Sequence, residues 1–164
     1  MSPLTDACKA GDVEKAKLLL DVTRVPVDEK DKYGDTALME ASRNRRTEVM
    51  KLLLDAMLDK DASLFKKDRR GRTLLMEASS CGYTEMVKRL LEEGAPVDAT
   101  CSRMSGRTSL MTASVRGYKD VVELLLDKGA LVNQKDEDGY TALMGASWKG
   151  RTDVAGLLLD RGAL

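Results

Sequence analysis

Residues 141–147 read Thr-Ala-Leu-Met-Gly-Ala-Ser, and near-copies of this stretch stand at 36–42, 73–79 and 108–114. The four copies begin 37, 35 and 33 residues apart. Self-similarity at a period of this length indicates stacked repeats, in which each repeat is one small structural unit and adjoining repeats build a shared core. We call this stretch the Thr-x-Leu-Met box, and positions in different repeats are compared by their distance from it.

The chain divides into five repeats when it is aligned on the box. In the first repeat, Ser2, Pro3 and Leu4 take the place of Thr-x-Leu, and Ser followed by Pro favours the start of a helix. We predict one domain, residues 1–164, composed of repeats at about 2–28, 32–67, 69–101, 103–135 and 137–164.

Every repeat carries the signals of two helices and a loop. The box predicts a first helix whose free amides are capped by the Thr side chain. Glycines such as Gly82 and Gly117 predict its end, because glycine adopts the left-handed conformation easily. A second helix follows, with threonines such as Thr84 as its predicted cap and an apolar stripe such as 121–125 facing its neighbours. The turn at 138–139 then leads into the next box. The predicted fold is all-α.

Helix, turn, helix and β-turn loop at this period resemble the ankyrin repeat. The Gly-x-Thr-x-Leu pattern, the Gly-Ala helix ends, and the Val-Asp or Val-Asn pairs at 27–28, 97–98 and 132–133 carry the resemblance over essentially the whole chain. It implies an ankyrin-repeat solenoid of helix-turn-helix units joined by β-hairpin or loop fingers. It also implies protein binding through the finger tips and the exposed sides of the first helices.

Three features depart from the family pattern. Met fills the position of the family's His in all four boxes, which predicts internal packing, with a methionine-lined binding stripe as the alternative. Arg45 stands where other repeats have Gly, so either its backbone is strained or the turn differs. Repeat two has about four extra residues around 55–60, which predicts one more helical turn and a wider loop. The finger of repeat four gains about two residues near 101–102.

The sequence offers no catalytic constellation. It contains no histidine, so the commonest general base and metal ligand are missing. Cys8, Cys81 and Cys101 lack an activating partner and the spacing of metal ligands. No glycine-rich phosphate-binding motif occurs. We therefore predict that the protein is not an enzyme and binds no cofactor or metal.

Charge and cysteine usage bear on the compartment. Lys plus Arg and Asp plus Glu number 27 each, so net charge favours neither nucleic acid nor a membrane. No signal-peptide pattern or membrane-length apolar run of ~20 residues is found. Three unmatched cysteines favour a reducing compartment, so we expect a cytoplasmic or nuclear protein. The apolar last repeat stops at Leu164 without a polar terminal repeat, so we expect a longer protein or a covered last face.

Alignment on the box shows which residues of this chain occupy the positions that bind partners in the ankyrin family, and these are the predicted partner-binding residues. The finger tips and first helices together carry nine basic and five acidic residues, although the net charge of the whole chain is zero. This local excess predicts a partner segment that is acidic or phosphorylated, with an apolar side chain over Trp148 and Tyr140. The predicted set is Tyr33, Arg43, Arg69, Arg70, Arg72, Arg103, Met104, Arg107, Arg116, Tyr140, Trp148 and Lys149.

Three alternatives to a protein-binding scaffold remain open on sequence alone. The arginines are also compatible with a solvated surface fringe that binds nothing. They are compatible with binding of nucleic acid or another polyanion, although six aromatic residues in total are few for stacking on bases. The domain is also compatible with a structural spacer within a larger protein.

Overall fold

The fold is known from a computed structural model that describes residues 2–21, 26–27, 29–31, 34–58, 65, 67–68 and 71–164. Over these residues the chain forms ten α-helices, one 3-10 helix at Ser102–Met104 and no β-strand. None of the described helices is long and apolar enough to cross a membrane. The prediction of an all-α fold is confirmed. The chain divides into two compact parts, 1–69 and 70–164, which we call the N-terminal unit and the C-terminal unit.

The N-terminal unit contains two successive helix pairs. Its helices are α1 (Pro3–Ala10), α2 (Val13–Asp21), α3 (Ala37–Arg43) and α4 (Thr47–Leu58). The first helices α1 and α3 pack on each other, as do the second helices α2 and α4. Leu4, Leu38 and Leu53 are fully buried between them, and each contributes about 2 kcal/mol by leaving water.

The C-terminal unit repeats the arrangement three times. Its helices are α5 (Leu74–Cys81), α6 (Thr84–Glu92), α7 (Ser109–Arg116), α8 (Lys119–Asp127), α9 (Ala142–Trp148) and α10 (Thr152–Asp160). First helices α5, α7 and α9 pack in sequence, and so do second helices α6, α8 and α10. The core consists of apolar residues from every helix, among them Leu75, Leu90, Leu110, Leu125 and Leu158. Because each repeat buries its stripes against its neighbours, the position of a residue relative to its box determines where it lies.

The box threonines cap the first helices as predicted. In α3, α5, α7 and α9 the Thr Oγ1 accepts a hydrogen bond of 3.3 Å from the backbone amide of the box methionine. Helix α1 begins at Pro3 as predicted, but the Ser2 hydroxyl donates to Glu29 at 2.8 Å rather than capping the helix. The prediction of threonine caps for the second helices is wrong at Thr84 and Thr152, since each is the first helical residue and the preceding residue makes no side-chain cap.

The box methionines are core residues in three of the four boxes. Met39, Met76 and Met111 are buried, which confirms the packing prediction for them. Met144 is about half exposed, because α9 has no later first helix packed against it within the C-terminal unit. Met144 is therefore the box methionine that is most accessible to a ligand.

The structure also shows the effect of the extra residues in repeats two and four and of Arg45, which replaces the glycine of other repeats. Helix α4 has 12 residues where the other second helices have nine, which confirms the extra turn; part of the wider loop, 59–64, lies outside the described residues. The finger of repeat four closes between Cys101 N and Arg107 O, a span two residues longer than the Asp136 to Tyr140 closure. Arg45 adopts φ 55°, so its backbone is in the left-handed region that disfavours a side chain.

Candidate functional site

Two of the predicted binding arginines are neutralised within their own units. Arg43 in the N-terminal unit forms ion pairs with three carboxylates, those of Asp35, Glu40 and Asp68. In the C-terminal unit, Arg72 forms an ion pair with Glu77, whose side chain is only 3% exposed. These two arginines therefore add no uncompensated positive charge to the predicted binding surface.

A buried aspartate organises the finger of repeat five. Asp136 Oδ1 accepts hydrogen bonds from the backbone amides of Asp138 (3.0 Å) and Tyr140 (2.8 Å). Its other oxygen lies 3.5 Å from Nε of Arg107. Asp136 thus fixes both the aromatic residue of its own finger and the arginine of the preceding one.

Sequence reasoning missed this aspartate, although a signal was present. Asp31 and Asp68 occupy the same position, three residues before the glycine that precedes the box, and both are buried as Asp136 is. Asp31 Oδ1 also accepts the amide of Asp35 at 3.0 Å. An aspartate that recurs three residues before the turn glycine therefore indicates a side chain that accepts hydrogen bonds from the backbone of its own finger.

Repeats four and five leave an apolar groove between α7, α9 and their fingers. Its volume is about 390 Å³. Tyr140, Met144 and Trp148 are spaced by four residues, so they lie on one face of α9 and of the residues just before it. Their exposed fractions are 56%, 48% and 80%. The lining residues are Arg107, Met111, Val115, Asp136, Tyr140, Thr141, Met144, Gly145 and Trp148.

Gly145 allows Val115 of α7 to pack closely against α9 in the lining of the apolar groove. The equivalent residues of the other boxes are Glu40, Glu77 and Thr112. A Cβ atom added to Gly145 would lie only 2.7 Å from Cγ2 of Val115 on α7. A side chain at this position would therefore displace Val115 and narrow the groove.

A second, basic groove adjoins the apolar groove. Its volume is about 420 Å³, and four cationic side chains but no carboxylate line it. Arg107 and Val115 line both grooves, so the two form one continuous surface. The lining residues are Met104, Arg107, Thr112, Val115, Arg116, Lys149 and Arg151.

Two of these cations are held in place by nearby groups. Arg151 Nε donates to the carbonyl of Val115 at 3.3 Å, and the Arg151 stem lies where a Cβ on Gly117 would be, 2.8 Å away. Lys149 Nζ lies 4.2 Å from the centroid of the Trp148 ring, a cation–π contact across the boundary between the grooves. Arg116 has no ion-pair partner within 71–164.

The structure brings together six of the twelve predicted binding residues: Met104, Arg107, Arg116, Tyr140, Trp148 and Lys149. Arg103 is exposed on the finger of repeat four but lines neither groove. Arg43 and Arg72 are ion-paired as described above. Tyr33, Arg69 and Arg70 lie outside the described residues. Sequence reasoning did not single out Val115 and Gly145 as groove-forming, nor Arg151 as a groove cation.

The cysteines and acidic residues have no evident reactive arrangement among the described residues. Burial raises the pKa of the Cys8 thiol to about 12, so it is not ionised at neutral pH. Over the described part of the chain, no group of three or more Cys, Asp or Glu side chains is arranged to hold a metal ion.

Comparison with known proteins gives one family. A family model described as "Ankyrin repeats (3 copies)" matches residues 1–64, 56–136 and 75–164. These matches together cover the whole chain. A comparison with curated proteins returned no match.

Proposed function

Because the chain belongs to the ankyrin-repeat family, we propose that it is a non-catalytic protein-interaction module that binds an acidic or phosphorylated segment of a partner protein. Ankyrin repeats are generally protein–protein interaction modules. In this chain the binding surface is the apolar groove together with the basic groove, both in the C-terminal unit. The anionic part of the segment lies in the basic groove, and an apolar side chain lies in the apolar groove.

The observation that carries the proposal is the continuity of the two grooves through Arg107 and Val115. An extended segment crossing this surface meets apolar side chains on one side and uncompensated cations on the other. Trp148 and Tyr140 are exposed there, and Trp, Tyr and Arg are the residue types that most often dominate binding energy at protein interfaces.

Nucleic acid is a weaker candidate for this surface. Base stacking uses free aromatic faces, and Lys149 already lies over one face of the Trp148 ring. The finger of repeat five also carries the exposed acids Glu137 and Asp138, which repel a phosphate backbone. A protein segment with localised negative charge avoids both difficulties.

Selection of displayed random peptides on the immobilised intact chain tests the proposal. We expect the selected peptides to combine acidic residues with at least one large apolar residue. Trp148 is the single tryptophan of the chain, so its emission reports on the groove directly. Binding should shift that emission to shorter wavelength, because the ligand removes water from an indole that is otherwise exposed.

Two variants separate groove binding from general surface stickiness. Tyr140→Ala should weaken binding of the selected peptides by about tenfold, since it removes a wall of the apolar groove. Leu159→Ala removes an equally exposed apolar side chain outside both grooves and should leave affinity unchanged. Peptides without acidic residues, or affinity that Tyr140→Ala does not alter, would overturn the proposal.

A further inference from the structure

We infer that the basic groove is a subsite for a phosphoryl group, carried on a phosphoserine or phosphothreonine of the bound segment. The inference rests on the proposed function and deepens it, because it replaces an unspecified anion with a dianion. Phosphorylation of the partner would then control whether it binds.

Charge in the basic groove exceeds what one carboxylate can neutralise. Its cations are Arg107, Arg116, Lys149 and Arg151, and no Asp or Glu lines it. Among the described residues, one carboxylate forms an ion pair with any of them, that of Asp136, which lies 3.5 Å from Arg107 Nε. Three cations therefore remain uncompensated on one small surface of the C-terminal unit.

The donors of the groove also fit a phosphoryl group. A guanidinium presents five N–H donors and an ammonium three. Few of these N–H donors already have an acceptor. Arg151 donates from Nε to the carbonyl of Val115, and Arg116 has no ion pair in the C-terminal unit. The only other polar side chain is Thr112, whose hydroxyl donates to the carbonyl of Thr108 at 3.0 Å. A phosphoryl group has three acceptor oxygens and a charge of about −1.5 to −2, up to twice the charge of a carboxylate.

Preorganisation supports the same assignment. Arg151 is anchored by its hydrogen bond to Val115 and by the space above Gly117, so its terminal nitrogens need little ordering when an anion arrives. The same anchor recurs in the N-terminal unit, where Arg46 Nε donates to the carbonyl of Lys9 at 3.2 Å and its stem lies over Gly11. There it belongs to neither groove. The anchor is therefore a feature of the repeat, and in repeats four and five it holds Arg151 in a groove that three other cations also line.

The grooves also place the phosphorylated residue relative to the apolar anchor. Since Arg107 and Val115 line both grooves, the phosphoresidue and the apolar residue of the ligand must lie close together in sequence. A segment in which they are far apart would have to loop out between them.

Three pools of degenerate peptides, identical except for a fixed central phosphoserine, glutamate or serine, test the inference on the intact chain. We expect the phosphoserine pool to be retained about tenfold more strongly than the glutamate pool, because charge-assisted bonds to a dianion are more numerous. Arg116→Gln and Arg151→Gln should each reduce that preference several-fold.

Two control variants outside the grooves test whether the preference for phosphoserine depends on the basic groove. Arg46→Gln removes the same backbone anchor as Arg151→Gln but outside the grooves, and Lys128→Gln removes an exposed charge just after the end of α8, in the lining of neither groove. Both should retain the full preference for phosphoserine. A loss of preference in Arg46→Gln equal to that in Arg151→Gln would overturn the assignment of the site.

The remaining outcomes distinguish the inference from the proposed function. Equal retention of the phosphoserine and glutamate pools, both above the serine pool, overturns the phosphoryl subsite and leaves acidic-segment binding standing. Equal retention of all three pools overturns both. Displacement of the phosphoserine pool by a single-stranded oligonucleotide, with binding that weakens steeply between about 50 and 200 mM salt, would reassign the groove to nucleic acid.

Discussion

Gly145 of α9 and Val115 of α7 lie so close that a Cβ atom on the glycine would stand 2.7 Å from Val115 Cγ2. This distance is shorter than a van der Waals contact. The absence of a side chain at 145, where the other boxes have Glu or Thr, is therefore what allows Val115 of α7 to pack this closely against α9 in the lining of the apolar groove.

Gly145→Ala should weaken binding of a peptide obtained by display without unfolding the protein. Alanine gains about 1 kcal/mol of helix propensity, which offsets the cost of moving Val115. The groove narrows, so we expect affinity to fall about tenfold, measured by titration of Trp148 fluorescence. Gly156→Ala is the matched control, since Gly156 lies in α10 with nothing within 4 Å of its added Cβ. It should gain stability and bind normally; unchanged affinity in Gly145→Ala would show that the ligand does not use this space.

Local sequence predicted what depends on local structure. The box-threonine caps, the positions of the first helices and the length of the repeat-four finger follow from residues a few positions apart, and these are confirmed, whereas the threonine caps predicted for the second helices are not. The state of each arginine depends on its partner in three dimensions. By position in the repeat, Arg72 and Glu77 are two separate charges on the predicted binding surface, whereas in three dimensions they form one ion pair. Conversely, the role of Gly145 depends on Val115 of another helix, and nothing in its own repeat indicates the contact.

Arg45→Gly should stabilise the N-terminal unit. Arg45 adopts φ 55°, a conformation that costs a non-glycine residue about 1 kcal/mol or more. The gain is reduced by the greater freedom of glycine in the unfolded chain, so we expect about 0.5–1 kcal/mol in the free energy of unfolding, measured by urea denaturation.

The reverse change at the equivalent position is the control for this prediction. Gly150 has φ 65° and nothing within 4 Å of an added Cβ, so Gly150→Arg introduces strain without a clash. It should lower the free energy of unfolding by a similar amount. If the two changes shift stability in the same direction, backbone strain is not the cause.

Glu77→Gln should destabilise the C-terminal unit more than most single surface changes. Glu77 is buried against Arg72, so the substitution removes the negative charge of Glu77 from beside a largely desolvated guanidinium. Breaking a buried pair costs about 3–5 kcal/mol, and we expect about 2 kcal/mol because the Arg72 side chain is 18% exposed and keeps some water.

Replacement of both partners should recover most of this loss. Arg72→Met combined with Glu77→Leu fills the same space without buried charge, and such replacements are often neutral. We expect the double variant to lie within about 1 kcal/mol of the parent by urea denaturation followed by circular dichroism. A double variant as unstable as Glu77→Gln would mean that side-chain shape, and not the loss of the Glu77 charge, determines the change in stability.

Cys8 should make the stability of the N-terminal unit depend on pH in the alkaline range. Burial raises the pKa of its thiol from 9.0 to about 12. Between these values the unfolded chain has released a proton that the folded chain still holds, so the free energy of unfolding falls as pH rises. The slope contributed by one such group is at most about 1.4 kcal/mol per pH unit.

Cys8→Ser isolates this contribution, because Ser stands at the same position in the other four repeats and is tolerated there. We expect the parent to lose about 2 kcal/mol more than Cys8→Ser between about pH 9 and pH 11, and both to respond alike below pH 9. Urea denaturation under reducing conditions at a series of pH values measures the difference. Parallel curves across the alkaline range would mean that the thiol ionises in the folded protein as readily as in the unfolded chain, and therefore that α1 opens to water before the rest of the unit unfolds.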